Sequence, residues 1–163
     1  GMNVGSSIGN LVNQMTQDLE MIKNAKIGIP AGKKSLGTPY PQNTEAYYSG
    51  LSLQLAIKNL QTIEDVYLGR SAAGGDGLGL DDYLVYLNAQ HSSGSLNDVI
   101  KSRFASAKSK LSAIPESLSQ SVISNNATVS DAYNELQQLT VLLKVDMASA
   151  LGVVITYQDN DGD

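Results

Sequence analysis

Four separate stretches of this chain repeat an apolar residue every three to four positions, and that period constrains the fold more than any other feature. In the first, Ile8, Leu11, Val12, Met15, Leu19 and Ile22 fall at i, i+3, i+4, i+7 spacing, which makes one face of a helix apolar. The second carries Leu53, Ala56, Ile57, Leu60, Ile63 and Tyr67. The third carries Leu96, Val99, Ile100, Ala107, Leu111 and Ile114, with Phe104 beside them. The fourth carries Val129, Ala132, Tyr133, Leu136, Leu139, Leu143, Met147 and Ala150. Local signals bound each run. Ser6 or Ser7 can cap the first, which is expected to end near Ala25, ahead of Gly28 and Pro30. Gly69 stops the second. Ser95 with Asp98 resembles a capping box for the third, and Pro115 ends it. Thr128 with Asp131 predicts the start of the fourth, and Gly152 its stop.

Helices that are apolar on one side only bury those sides against one another. The expectation is an all-α, up-and-down four-helix bundle forming one domain over residues 1–163. Short extra helices are predicted near 81–87 and 116–123. The β-branched stretch Val153 to Tyr157 predicts an extended C-terminal tail on the bundle. The connection from Lys26 to Thr44 is long and rich in Gly and Pro, and structureless loops beyond about 12 residues are usually functional or disordered. The connection after Gly69 opens on a glycine run, Gly74 to Gly79, that reads as a flexible link.

Composition removes several classes of function. With no cysteine, disulfides, thiolate metal sites and cysteine nucleophiles are impossible. A net charge of −5 repels phosphate backbones, so nucleic acid is not an expected partner. The basic residues Lys23, Lys26, Lys33 and Lys34, and Lys101, Arg103, Lys108 and Lys110, read as solvated helix faces. No apolar run approaches the roughly 20 residues that cross a bilayer. Gly1 ahead of Met2 reads as a cloning remnant, so the start of the chain says little about export.

Few residues of the chain are suited to carry chemistry. His91 is the one histidine and is followed by Ser92, Ser93 and Gly94, so it lacks ligand or acid–base partners at helical spacing and reads as a solvated loop residue. Asp159, Asn160, Asp161, Gly162 and Asp163 resemble the opening of a calcium loop but lack the remaining ligands, above all the glutamate at the twelfth place. The glycine run lacks a P-loop lysine. Glu64 and Asp65 are adjacent and point to different sides of a helix. The eight tyrosines suit either core edges or interfaces, because each pairs a large apolar ring with a polar tip.

Two groups of stretches combine into something more specific. The first is Lys26-Ile27-Gly28-Ile29-Pro30-Ala31-Gly32, Glu45-Ala46-Tyr47-Tyr48-Ser49, Asn59-Leu60-Gln61-Thr62-Ile63 and Val66-Tyr67-Leu68-Gly69. The second is Leu151-Gly152-Val153, Ile155-Thr156 and Asp159 to Asp163. With the helix ending Leu111-Ser112-Ala113-Ile114-Pro115 between them, they resemble the C-terminal half of imelysin-type proteins, the insulin-cleaving membrane protease family. The resemblance runs from about residue 10 to the end of the chain. It implies an exported bacterial protein of two helical bundles, periplasmic or outer-membrane-anchored as a lipoprotein, and linked to iron uptake.

The family is classed among metallopeptidases for a Gly-x-His-x-x-Glu motif in its N-terminal bundle. No His-x-x-Glu occurs in this sequence, so the resemblance gives this chain no catalytic or metal residue. It does give binding or interface candidates: Glu45, Tyr48 and Ser49 match an acidic–aromatic–serine stretch near the junction of the two bundles, with Tyr47 beside them. The family often carries arginine after the glutamate, where this chain has Ala46 and then Tyr47.

The leading expectation is a bundle that is non-catalytic alone and whose partner is an N-terminal imelysin-like bundle. Self-association through a tyrosine-bearing patch at Tyr47 and Tyr48 is the other expected partnership. Two alternatives stay open: the substrate-holding half of a metal-dependent peptidase, and a surface module for iron, haem or a protein. Iron or another divalent metal belongs to a full-length protein on this reading. Membrane contact would come only through a lipid anchor outside the chain.

Overall fold

The hydroxyl of Ser6 accepts the Gly9 N–H at 2.9 Å, satisfying one of the donors that a helix start leaves free. Helix α1 follows over Ser7–Met21. The computed structural model describes residues 6–33, 38–39, 41–43, 52–115 and 117–157.

The first helix does not stop near Ala25. It widens into a π-helical segment, Ile22–Gly28, and tightens again as α2, Ile29–Ala31. Gly28 and Pro30 thus lie inside a helix. A π turn bonds each carbonyl to the fifth residue on, and Lys33 N–H still reaches Gly28 O at 2.9 Å. That wider turn offsets the carbonyls that a proline ring would strike and tolerates its missing N–H. Gly28 is small for a packing reason. A Cβ there would lie 2.9 Å from Lys23 O and 3.0 Å from Tyr133 Cε2.

Helix α3, Ser52–Leu68, ends as expected at Gly69, whose φ is +72°. The glycine run that follows is a hydrogen-bonded turn and not an open link. Arg70 and Asp76 form a bridge, Gly77 N–H donates to Gly69 O at 2.9 Å, and Gly75 N–H donates to Ser71 Oγ at 3.0 Å. The turn packs so closely that a Cβ on Gly69 would sit 2.7 Å from Gly77 O. It delivers α4, Leu80–Tyr86, and then a two-stranded antiparallel hairpin, β1 Gln90–His91 with β2 Gly94–Ser95. Ser95 Oγ accepts Asp98 N–H at 3.1 Å and starts α5, Leu96–Ser112.

The predicted cap at Thr128 is displaced. α6, Leu118–Ser124, and α7, Asn126–Val141, are separated by Asn125 alone, so the helix is already under way at Thr128. The Asn126 amide fixes this junction by donating to Val122 O at 2.9 Å and Ala31 O at 3.2 Å. A second π segment, Leu142–Met147, continues α7 into α8, Ala148–Leu151, and Gly152 at φ +67° ends it. The extra residue in the π turn rotates the apolar stripe. Ala148 and Leu151 are buried, whereas Ala150, which the 3.6-residue period places inward, is exposed.

The four long helices form an up-and-down ring. Glu20 meets Lys144, Lys23 meets Gln137 and Ala31 meets Asn126, so α1 and α7 run antiparallel. Tyr67 meets Asn97 and Glu64 meets Lys108, so α3 and α5 do too. The core they enclose includes Val12, Leu19, Leu60, Tyr67, Ile100, Phe104, Leu111, Leu136 and Leu143, all fully buried. Beyond Gly152 the tail is extended, with Val153 buried and Val154 exposed. Arg103 and Lys108 are not merely solvated. They cross to neighbouring helices and pair with Glu135 at 3.0 Å and Glu64 at 2.7 Å.

Candidate functional site

Glu45, Tyr47, Tyr48 and Ser49 lie outside the described residues, as do Tyr40 and 158–163. Among the described residues, the densest group of buried polar side chains lies in a seam between α1 with its π segment and α7 with its own. Thr16, Glu20 and Lys23 form one line at i, i+4, i+7, and Gln137, Thr140 and Lys144 form the other at i, i+3, i+7. Thr16, Glu20, Lys23 and Thr140 are buried.

The side chains of the seam are hydrogen-bonded to one another or to backbone. The Lys23 ammonium, 1% exposed as a residue, donates to Gln137 Oε1 at 2.5 Å. Lys144 donates to Glu20 Oε1 at 3.1 Å and lies 5.4 Å from the centre of the Tyr157 ring. Further along, Lys33 lies 5.4 Å from the centre of the Tyr133 ring. Thr16 and Thr140 turn their hydroxyls back to Val12 O and Leu136 O, at 2.9 and 2.7 Å. A buried ammonium is costly unless paired and hydrogen-bonded, so these contacts fix the register of the first and last helices. The seam holds charge and orients it.

The signal for the seam was present in the sequence as two polar lines at helical spacing. An apolar-stripe search passes over them, because it scores the neighbouring positions. The two π segments leave no comparable trace. π turns are rare and concentrate at functional sites, and here each supplies a lysine of the seam, Lys23 and Lys144.

His91 sits in the hairpin with Nδ1 2.9 Å from Ser93 Oγ, half-exposed at the mouth of a groove that Arg103, Gln137 and Asp146 also line. Among the described residues no three His, Cys, Asp or Glu side chains converge, so those residues do not fit a resident divalent metal. No described helix is long and apolar enough to cross a membrane.

Tyr67 was expected on the stripe of the second helix and is fully buried. Its hydroxyl donates to Asn97 Oδ1 at 2.7 Å. Burial pushes its acidity far down, and the nearby Asp81 and Asp98 carboxylates add to the effect. It is therefore a neutral hydrogen-bond donor in the core and not an acid–base group.

The model of the Imelysin family matches residues 3–144. An imelysin peptidase from Bacteroides ovatus superimposes with a TM-score of 0.73 at 22% identity, over 88% of this chain. The chain spans 40% of that protein's length. Comparison with curated proteins gives no match. The family model covers most of the sequence and the bundle agrees with it, so the chain belongs to the imelysin family.

Proposed function

We propose that this bundle is the C-terminal half of a two-bundle imelysin-type arrangement and is non-catalytic by itself. The observation that carries the reading is partial coverage. Nearly the whole bundle superimposes on less than half of an imelysin peptidase, and its lone histidine is followed by Ser92, Ser93 and Gly94, with no glutamate three residues on. A chain built this way contributes shape and binding surface, while His/Glu chemistry would come from a partner bundle. On the same reading the protein acts outside the cytoplasm in iron acquisition, held to the membrane only by an anchor outside this bundle. The Glu45 to Ser49 stretch is the proposed point of contact with the partner bundle.

The test has two arms. The purified chain is incubated with unfolded protein substrates and iron, zinc or manganese salts, and cleavage is followed by mass spectrometry. It is also mixed with a separately produced N-terminal imelysin bundle carrying Gly-x-His-x-x-Glu, and the mass of any complex is read by sedimentation. The expected result is no cleavage by the chain alone and a one-to-one complex with the partner, weakened by Glu45→Ala with Tyr48→Ala. Metal-dependent cleavage by the isolated chain, or no complex at micromolar concentrations, overturns the reading.

A further inference from the structure

The end of the bundle where α1 begins and α3 ends carries a feature that the imelysin reading does not use. Ile8 and Leu11 of α1, Val66 of α3, and Tyr83 and Tyr86 of α4 line an apolar groove of 440 Å³. Leu78 stands at its edge. Leu78 is 94% exposed and Tyr86 82% exposed, which for side chains of this size is a large area of apolar surface left in water. Leu11 belongs to the apolar stripe of α1, yet it faces this groove and not the core.

The groove is fixed in shape. The turn bonded through Gly69, Ser71 and Gly77 presents Leu78, and Gly79 N–H donates to Asp82 Oδ2 at 2.9 Å at the start of α4. Tyr83 and Tyr86 stack with ring centres 6.2 Å apart and planes within 9°. The occupant therefore meets a formed surface, and little ordering cost falls on this chain.

Charge selects the occupant. Asp82 lines the groove, and Asp76 and Asp82 both lie close enough to Asp81 to act on its carboxyl. Lys101 of α5 acts on Asp81, and it is not among the groove's lining residues. A second copy of this chain would bring another groove lined by Asp82, on a molecule of net charge −5, and like charges brought together at an interface oppose association. A partner with apolar anchors flanked by lysine or arginine satisfies both the floor and the rim. A groove between packed helices suits an amphipathic helix with anchors at i, i+3 or i+4, and i+7.

We propose that the α1/α3/α4 groove docks a basic amphipathic helix of another polypeptide, with Leu78 and Tyr86 as the gripping side chains and Asp82 as the charge that selects it. The probe is a fluorescein-labelled helical peptide with leucines at i, i+3, i+4 and i+7 and lysines on the flanks. A second peptide replaces every lysine with glutamate.

Expected is saturable binding of the lysine peptide by anisotropy, at least tenfold tighter than the glutamate peptide. Leu78→Asp with Tyr86→Ser should abolish it, and Asp82→Asn should weaken it about threefold and flatten its salt dependence. Both side chains are solvent-exposed, so circular dichroism should show the variants folded. Equal binding of the two peptides, no binding, or indifference to the Leu78/Tyr86 variant overturns the proposal. So does sedimentation showing a dimer that these substitutions dissolve, which would assign the groove to a second copy. Binding to anionic vesicles that these substitutions abolish, without peptide binding, would assign it to a membrane and overturn the proposal equally.

Discussion

Asp81 shows how a single side chain can work against its own fold. It sits in the first turn of α4, where the helix start favours negative charge. Yet its Oδ1 is buried without a hydrogen-bond partner. Burial raises its carboxyl above the usual range, Asp82 and Asp76 push the same way, and the Asp82 backbone N–H and Lys101 oppose them. The folded chain thus holds this proton to higher pH than the unfolded chain does. Where the folded state binds more protons, stability falls as pH rises. The contribution is complete below the unfolded value of about 3.9 and is lost as pH climbs through the folded value. Asp81→Asn removes the titration and keeps the shape. We expect its melting temperature to equal or exceed that of the parent at pH 7, with the advantage gone near pH 3. A variant less stable than the parent at pH 7 but not at pH 3 would show that the charge is net favourable at the helix start.

Between elements, the contact that joins α3 to α5 concentrates on Tyr67. Its ring centre lies 5.7 Å from that of Phe104, and its hydroxyl ends on Asn97. Tyr67→Phe keeps the ring and strands a buried acceptor, at a cost of about 1–3 kcal/mol. Phe104→Ala opens a cavity in the same place and should cost about 3–5 kcal/mol. In a chain of this length each kcal/mol lowers the melting temperature by roughly 2–4 °C, so thermal denaturation should rank the parent, Tyr67→Phe and Phe104→Ala in falling order. A Tyr67→Phe protein as stable as the parent would mean that Asn97 finds another donor. Helix existence was legible in the sequence because burial imposes a period, and the caps at Ser6 and Ser95 were legible because a hydroxyl at a helix start has one obvious use. The end of the first helix was not. Gly28 and Pro30 are stop signals in an α-helix, and only the π turn, fixed by packing against Tyr133, lets the chain pass through them. The exposure of Ala150 has the same origin, since a π turn shifts every later residue around the axis. Asn125 was hidden as a boundary because the contact that makes it one reaches back to Ala31. The seam was half-legible: its polar lines are in the sequence, but their meeting depends on the antiparallel pairing of the first and last helices. The stretch from Glu45 to Ser49 came from family resemblance and not from local chemistry, so the geometry of the described residues leaves it as a proposal.

Across the whole molecule, the bundle becomes a closed ring only when its last segment is fastened to its first. The seam does this in the interior through Lys23–Gln137 and Glu20–Lys144, and one surface residue does it at the end. Asn13 uses both sides of its amide. Its Nδ2 donates to Val154 O at 2.9 Å, and its Oδ1 accepts the Thr156 N–H at 2.8 Å and the Thr156 hydroxyl at 3.2 Å. The tail can thereby lay Val153 and Ile155 on the core while its backbone groups stay satisfied. This clamp joins residues more than a hundred positions apart, so it lies beyond any local reading of the chain. Asn13→Ala should release the tail without unfolding the bundle. Hydrogen exchange at the Thr156 amide should accelerate toward the rate of an open chain, while amides in the middle of α5 keep their protection. The cost in global stability should stay near 1–2 kcal/mol, because the bonds lost are partly exposed. Asn13→Asp separates the two halves of the clamp, since it keeps the acceptor for Thr156 and loses the donor to Val154. Thr156 should then stay slow to exchange. If Thr156 is equally slow in Asn13→Ala, the tail is held by the burial of Val153 and Ile155 alone, and the amide is only an accessory to a hydrophobic seal.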